Sequence, residues 1–324
     1  MASRKARCSP LALEDSAASA GAGTCFSTRA LRDLAARWND TFAERSIPGV
    51  ATARASDLWT ALRERIVGSG VCGKGSTEAC WVEAAVSPLR DAALAATVFV
   101  PPKPASWLKN PTAWLSSVDI DRVMKQYEAV VANRFRWLGS LPRDFVAPHP
   151  AGGCVVDAMC QLDVRAELAK GVRSFGAAFN HDLHTQGGSH WVAMFVGMDP
   201  AAPLYGVHFS NSVGRPPMRE FREWCERMAL EVGEATGVPC PFKVNRVARQ
   251  RYNTECGMFA IYAVVRCLQT FRGQDARGRK LGRPPPTWEE LCDEPVRDRD
   301  MVEKRDEFFH QRGGARLPQK SKSS

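Results

Sequence analysis

The sequence predicts an α+β protein, with a central mixed sheet flanked by helices and a helical domain ahead of it. Three observations lead there. Apolar residues recur at helical spacing through the first hundred residues. The stiff segment Pro101-Pro102-Lys103-Pro104 interrupts them and marks a boundary. Beyond residue 170, four short apolar runs alternate with Gly, Pro, Asn and Asp turn signals, with an amphipathic helix among them, so strands and helices share one domain.

Residues 1–24 are rich in Ala and Ser without periodic apolar positions and are expected to be disordered. Behind the caps Ser27 and Thr28, the spacing of Leu31, Leu34, Ala35 and Trp38 predicts a helix. Leu58, Trp59, Leu62 and Ile66 predict a second helix after Ser56-Asp57, closing near Gly68 and Gly70. A third apolar stretch covers 79–86, before Pro88. Together these give a helical accessory domain over 25–104. No internal repeat is visible.

In the following core, over 105–311, Ile120, Val123, Met124, Tyr127, Val130 and Val131 form one face of a helix that Ser116 or Ser117 caps. Strands are expected at 172–179, 191–196, 204–209 and 242–247, and Phe221, Trp224, Cys225 and Met228 mark a helix between the last two. The run 258–265 predicts a helix opening at Cys256, with Asn253 or Thr254 as its cap. A helix over 299–309, carrying Met301, Phe308 and Phe309, is expected to pack on the core with its charges in solvent. Residues 312–324 are basic without an acidic residue and read as a disordered tail.

Composition narrows the function classes. A chain of 324 residues can bury a substantial core, and its longest apolar run, 92–100, is too short to span a bilayer. The N-terminus lacks the apolar core of a signal peptide, so a soluble, unsecreted protein is expected. Eleven cysteines, an odd number without paired spacing, read as reduced thiols. A zinc set drawn from Cys8, Cys25, Cys72 and Cys80 lacks a C-x-x-C pair and a nearby histidine, so neither metal nor cofactor is expected. The net charge of +9 admits nucleic acid as a partner, but Lys and Arg are dispersed rather than gathered in a stripe.

The chemistry concentrates in Gln250 to Gly257. A thiol is mostly protonated at neutral pH, and a helix N-terminus favours the thiolate, so Cys256 at a helix start is a candidate nucleophile. A buried helix cysteine is the plainer reading, the one given to Cys225 and Cys267. His190, just before an apolar strand, is placed to act as base. The returning strand ends at Asn211, whose side-chain carbonyl can accept the imidazole N–H and fix its tautomer. Asp199 and His208 are alternatives, the first more simply a turn residue and the second a residue on a strand face. The Gln250 amide and the Cys256 N–H can donate to a developing oxyanion, and Gly257 lets a substrate carbonyl approach the backbone.

The ordered set His190, Asn211, Gln250 and Cys256 resembles the adenovirus-protease and SUMO-protease superfamily of cysteine peptidases, in which the cysteine comes last. The likeness extends over Trp114-Leu115 with Asp119-Ile120, Leu138 to Phe145, Phe179-Asn180-His181-Asp182, Gly188-Ser189-His190-Trp191, Cys25-Phe26-Ser27 and Cys80-Trp81. Within the superfamily it is most similar to the polyprotein-processing proteases of large cytoplasmic DNA viruses, of the African swine fever virus type. Asparagine at 211, where SUMO proteases usually carry aspartate, favours that branch.

The resemblance implies an adenain-like branch of the papain-like fold, working without cofactor. It implies Cys256 as nucleophile, His190 as general base, Asn211 as orienting residue, Gln250 in the oxyanion hole, and Trp114, Leu115, Trp191 and Gly257 lining the substrate groove. Substrates are expected to be viral structural polyproteins cut after Gly-Gly during virion maturation, in the host cytoplasm, its viral factories and the virion. Alternatives are removal of ubiquitin or a SUMO-like modifier at the same site, acyl transfer onto Cys256, and a basic structural virion protein associated with nucleic acid. Gly313-Gly314-Ala315 in the tail admits self-processing.

Overall fold

The computed structural model describes residues 8–16, 23–274, 280 and 284–311. It resolves into two compact units, Met1–Lys103 with Glu307–Ser324, and Pro104–Asp306. The tail 312–324 with its Gly-Gly, and residues 1–7 and 17–22, lie outside the described residues.

The first unit contains α1 (Pro10–Ser16), α2 (Thr28–Thr41), α3 (Ala55–Gly68), α4 (Ala79–Glu83) and α5 (Ala92–Val98). The Ser27 hydroxyl accepts the Ala30 N–H at 3.2 Å and starts α2. Leu31, Leu34 and Trp38 of α2 and Leu58, Leu62 and Ile66 of α3 are buried in the same core as Phe26 and Trp81. The expectation of disorder fails at 8–16. There Ala12 is buried, the Ser9 hydroxyl donates to the Thr97 carbonyl at 2.5 Å, and Cys8 is bonded to Cys25. A short helix with one small apolar contact carries no periodic signal; its partners come from far along the chain.

The reading of the cysteines as reduced thiols is corrected for six of them. Disulfides join Cys8 to Cys25, Cys72 to Cys80 and Cys154 to Cys160, while Cys225, Cys240, Cys256, Cys267 and Cys292 are free. The cysteines considered as a zinc set are thus two disulfides. Sequence separations of 17, 8 and 6 hid pairs whose Cα atoms lie only 5.1, 6.1 and 6.4 Å apart.

The second unit opens with α6 (Ser117–Glu128), started by a capping box between Ser116 and Asp119. There follow β1 (Phe135–Leu141), α7 (Asp157–Cys160), α8 (Val164–Ala169), β2 (Ser174–Asn180), β3 (Trp191–Gly197) and β4 (Gly206–Ser210). The unit continues with α9 (Arg219–Thr236), β5 (Phe242–Val244), α10 (Cys256–Arg272), α11 (Trp288–Cys292) and α12 (Asp298–Phe308), the last two residues of which are counted with the first unit. The five strands form one sheet in sequence order, parallel at the β1–β2 and β4–β5 edges and antiparallel between. Strand β1 was not expected. Its register shifts between Trp137 and Gly139, which breaks the alternation that would have announced it.

The sheet has two differently built faces. On one, Phe175, Phe179, Met194, Val196 and Phe209 bury themselves with Phe221, Trp224 and Met228 of α9. On the other, small residues leave room for α10: a Cβ on Gly176 would come within 2.8 Å of Val264 and of the Phe135 ring. Helix α10 lies against β3 and is buried nearly all round, which explains why its sequence is apolar throughout rather than amphipathic.

Candidate active site

The antiparallel order brings the end of β2, the start of β3 and the end of β4 to one edge of the sheet, where the N-terminus of α10 also arrives. His190 immediately precedes the middle strand, so it sits at that strand's end and not on a lateral edge of the sheet. Asn211 immediately follows β4 and is fully buried. His190 Nε2 lies 3.0 Å from Asn211 Oδ1. The same oxygen accepts the Val213 N–H at 3.2 Å, which identifies it as the acceptor and His190 Nε2 as the donor. The proton on Nε2 leaves Nδ1 as the basic nitrogen.

Cys256 is the first residue of α10 and only 2 % exposed. Burial pushes its thiol above the ordinary value, the backbone N–H groups of Trp191, Gly257 and Cys256 itself oppose that rise, and the charge of Glu255 adds to it. The thiol therefore lies by the backbone of the residue that follows His190. Burial also pushes the His190 imidazole below its ordinary value; the Asn211 bond works against this and the charge of Arg215 with it. At neutral pH each shift favours the uncharged form, a neutral imidazole and a protonated thiol. His181 packs edge-on to His190, ring centroids 4.8 Å apart, and burial holds it at about 4, so it remains neutral beside that imidazole.

Gln250 is buried, and the Ser212 hydroxyl donates to its Oε1 at 2.6 Å. This directs Nε2 toward the other side, where one of its protons goes to the Tyr252 carbonyl and the second is left for another acceptor. The cap of α10 differs from expectation: Glu255 occupies that position without a side-chain capping bond, in place of Asn253 or Thr254. Asp199 accepts the Ala201 N–H in a turn, and His208 is buried in β4 with its ring on Trp288. Neither joins the group.

Beside this cluster lies a cavity of about 490 Å³, lined among others by Trp114, Leu115, Asn180, His184, His190 and Trp191. The Trp191 indole N–H donates to the Leu115 carbonyl at 3.1 Å, joining two of its walls, while Trp114 stays 45 % exposed. Among the described residues no group of His, Cys, Asp and Glu side chains is arranged to hold a metal ion.

No protein-family model matches the chain. In sequence it is 29 % identical, over 160 residues covering 48 % of each chain, to a protein described as a thiol protease in Acanthamoeba polyphaga mimivirus. It is 25 % identical over 162 residues, 48 % of this chain and 58 % of the other, to a cysteine protease of African swine fever virus. The chain thus spans about half the length of the curated relatives it matches. A crystal structure of the African swine fever virus protease superposes with a TM-score of 0.58, covering 94 % of this chain and 96 % of that one at 17 % identity. The fold is that of the African swine fever virus protease.

Within this protease fold, sequence reading missed the residues that hold the cluster in place. Asn245, buried, donates from Nδ2 to the Asn211 carbonyl at 2.9 Å and accepts the Val247 N–H at 2.8 Å. Ser212 was adjacent to a chosen residue, but no spacing rule connects Asn245 to Asn211 across 34 positions. Gly257 also has a packing role: a Cβ there would lie 3.0 Å from Leu115 Cβ and 3.4 Å from Trp191 Cδ1.

Proposed function

We propose that the chain is a cysteine endopeptidase that cleaves viral structural polyproteins after Gly-Gly, acting in the host cytoplasm and the virion. The observation that carries this reading is the His190–Asn211 hydrogen bond at 3.0 Å beside a thiol at a helix N-terminus. His190 Nδ1 takes the thiol proton as Cys256 Sγ attacks the carbonyl carbon, and the C–N bond breaks as that proton passes to the leaving amine. The Cys256 N–H and the free Gln250 Nε2 proton stabilise the oxyanion. Water then hydrolyses the thioester with His190 again as base. No step needs a metal or cofactor.

The walls Trp114, Leu115 and Trp191, with the Trp191 indole tied to the Leu115 carbonyl, support a preference for glycine, which carries no side chain to accommodate between them. Incubating a Gly-Gly-X polyprotein fragment with wild type, Cys256→Ala and His190→Ala tests the proposal. Cleavage is expected from wild type alone, and cleavage surviving in either variant rules out this site. A ubiquitin Gly-Gly warhead probe separates polyprotein processing from modifier removal, since only the latter predicts efficient labelling of Cys256.

A further inference from the structure

The charges of 299–309 were expected in solvent, and Arg305 does the opposite, as does Asp298 at the start of α12. Asp298 is 7 % and Arg305 3 % exposed, with Met301 buried between them, so positions i, i+3 and i+7 share one inward stripe. Both charged groups grip the loop that joins Gln250 to Cys256. Asp298 Oδ2 accepts the Arg251 N–H at 2.8 Å and Oδ1 the Tyr252 N–H at 3.4 Å. At the other end, Arg305 Nε donates to Glu255 Oε2 and Nη2 to Glu255 Oε1, each at 2.9 Å. The remaining guanidinium protons reach a third segment: Nη1 donates to the carbonyls of Pro111 and Ala113 at 3.0 Å each. The guanidinium lies over the Trp107 ring, 4.1 Å from its centroid.

We propose that Arg305 is a positioning residue for the nucleophile. Its fork fixes Glu255 and with it the first turn of α10, and its second amino group fixes 111–113, which lead directly into the groove residues Trp114 and Leu115. A bidentate pair of this kind sets geometry as well as charge. A buried ion pair contributes little net stability against an apolar replacement, so its place beside Cys256 is the informative part. The Glu255 charge raises the thiol of the adjacent residue, and Arg305, paired with that carboxylate at 2.9 Å, is of the sign that opposes the effect. This inference rests on Cys256 being the nucleophile.

The test reads Cys256 alkylation by iodoacetamide across pH, mapped by mass spectrometry, beside kcat and KM on a Gly-Gly-X peptide. Arg305→Lys keeps the charge and loses the fork. It is expected to retain a cooperative melting transition while kcat falls about tenfold to a hundredfold. Glu255→Gln removes the carboxylate that raises the thiol and weakens the anchor of the Arg305 fork, so it is expected to move the alkylation midpoint to lower pH while kcat still falls, a split that neither a purely structural nor a purely electrostatic contact would produce. A folded Arg305→Lys protein with wild-type kcat overturns the proposal, and so does an unmoved alkylation midpoint in Glu255→Gln. If Arg305→Lys does not fold, the Glu255→Gln split decides alone. Alkylation needs no substrate, so a wild type that alkylates as expected but cleaves nothing overturns the peptidase reading and leaves the positioning role standing.

Discussion

Asn211 shows how a single side chain is committed on several sides. Its Oδ1 takes protons from His190 and Val213, and its carbonyl takes protons from Asn245 and Gly214. Asn211→Ala removes the acceptor that fixes the imidazole tautomer while leaving the thiol untouched, and a fall in kcat of about a hundredfold with KM nearly unchanged is expected. Equal loss in kcat and gain in KM would count against an orienting role. Asn245→Ala removes one of the two donors to the buried Asn211 carbonyl and leaves the partly buried Val247 N–H without its acceptor, and a loss of about 1–2 kcal/mol in urea unfolding is expected. In the proposed mechanism His190 works as a neutral base, and burial holds its value below 6.5, so kcat/KM should fall only as pH drops below that ordinary value. An acid limb centred above 6.5 would contradict the neutral resting pair. At this scale the sequence was most legible. Cys256, His190, Asn211 and Gln250 carry chemistry in their residue types and order, whereas Asn245 and Arg305 act only through folded neighbours.

Among the elements, α10 and the sheet face beneath it depend on missing side chains. Gly176→Val would drive a branched side chain into Val264 and Phe135, and overpacking of this kind costs about 1–3 kcal/mol. A lowered melting temperature with an intact Cys256 alkylation profile is the expected outcome, and unchanged stability would show that α10 can shift away from β2. The central helices and β2 to β4 were legible because their apolar runs are long enough to fix a period. Strand β1 escaped because its register breaks at Gly139, and α1 because a helix of seven residues has too few turns to display one.

At the scale of the whole molecule, stability depends on pH through a buried histidine and on redox state through a disulfide. His208 is buried and held at about 4 by that burial, against 6.5 in an unfolded chain. Its neutral form is favoured by the fold, so its contribution is fully present above about 6.5 and is lost as pH falls from there toward 4; the shift corresponds to about 3 kcal/mol. Urea titrations at pH 7 and pH 4.5 should show this loss, and a His208→Gln variant should show less of it. The Cys8–Cys25 disulfide, with a separation of 17, restrains the unfolded first unit by about 3 kcal/mol in a chain-entropy account. Adding a phosphine reductant should lower the unfolding midpoint in wild type and change it less in a Cys8→Ser, Cys25→Ser protein.

The sequence by itself determined the α+β class, the helical first hundred residues and the residue types of the proposed site, His190, Asn211, Gln250 and Cys256. Those follow from local propensity, periodicity and side-chain chemistry, which are written in consecutive or evenly spaced residues. Only the tertiary structure decided the disulfide pairing, the inward turn of Asp298 and Arg305, and the bond from Asn245 that backs Asn211. The disulfides and the Asn245 bond join positions whose separation carries no periodic signal, and the inward charges became definite only where burial removed water and brought Glu255 and the loop backbone within their reach.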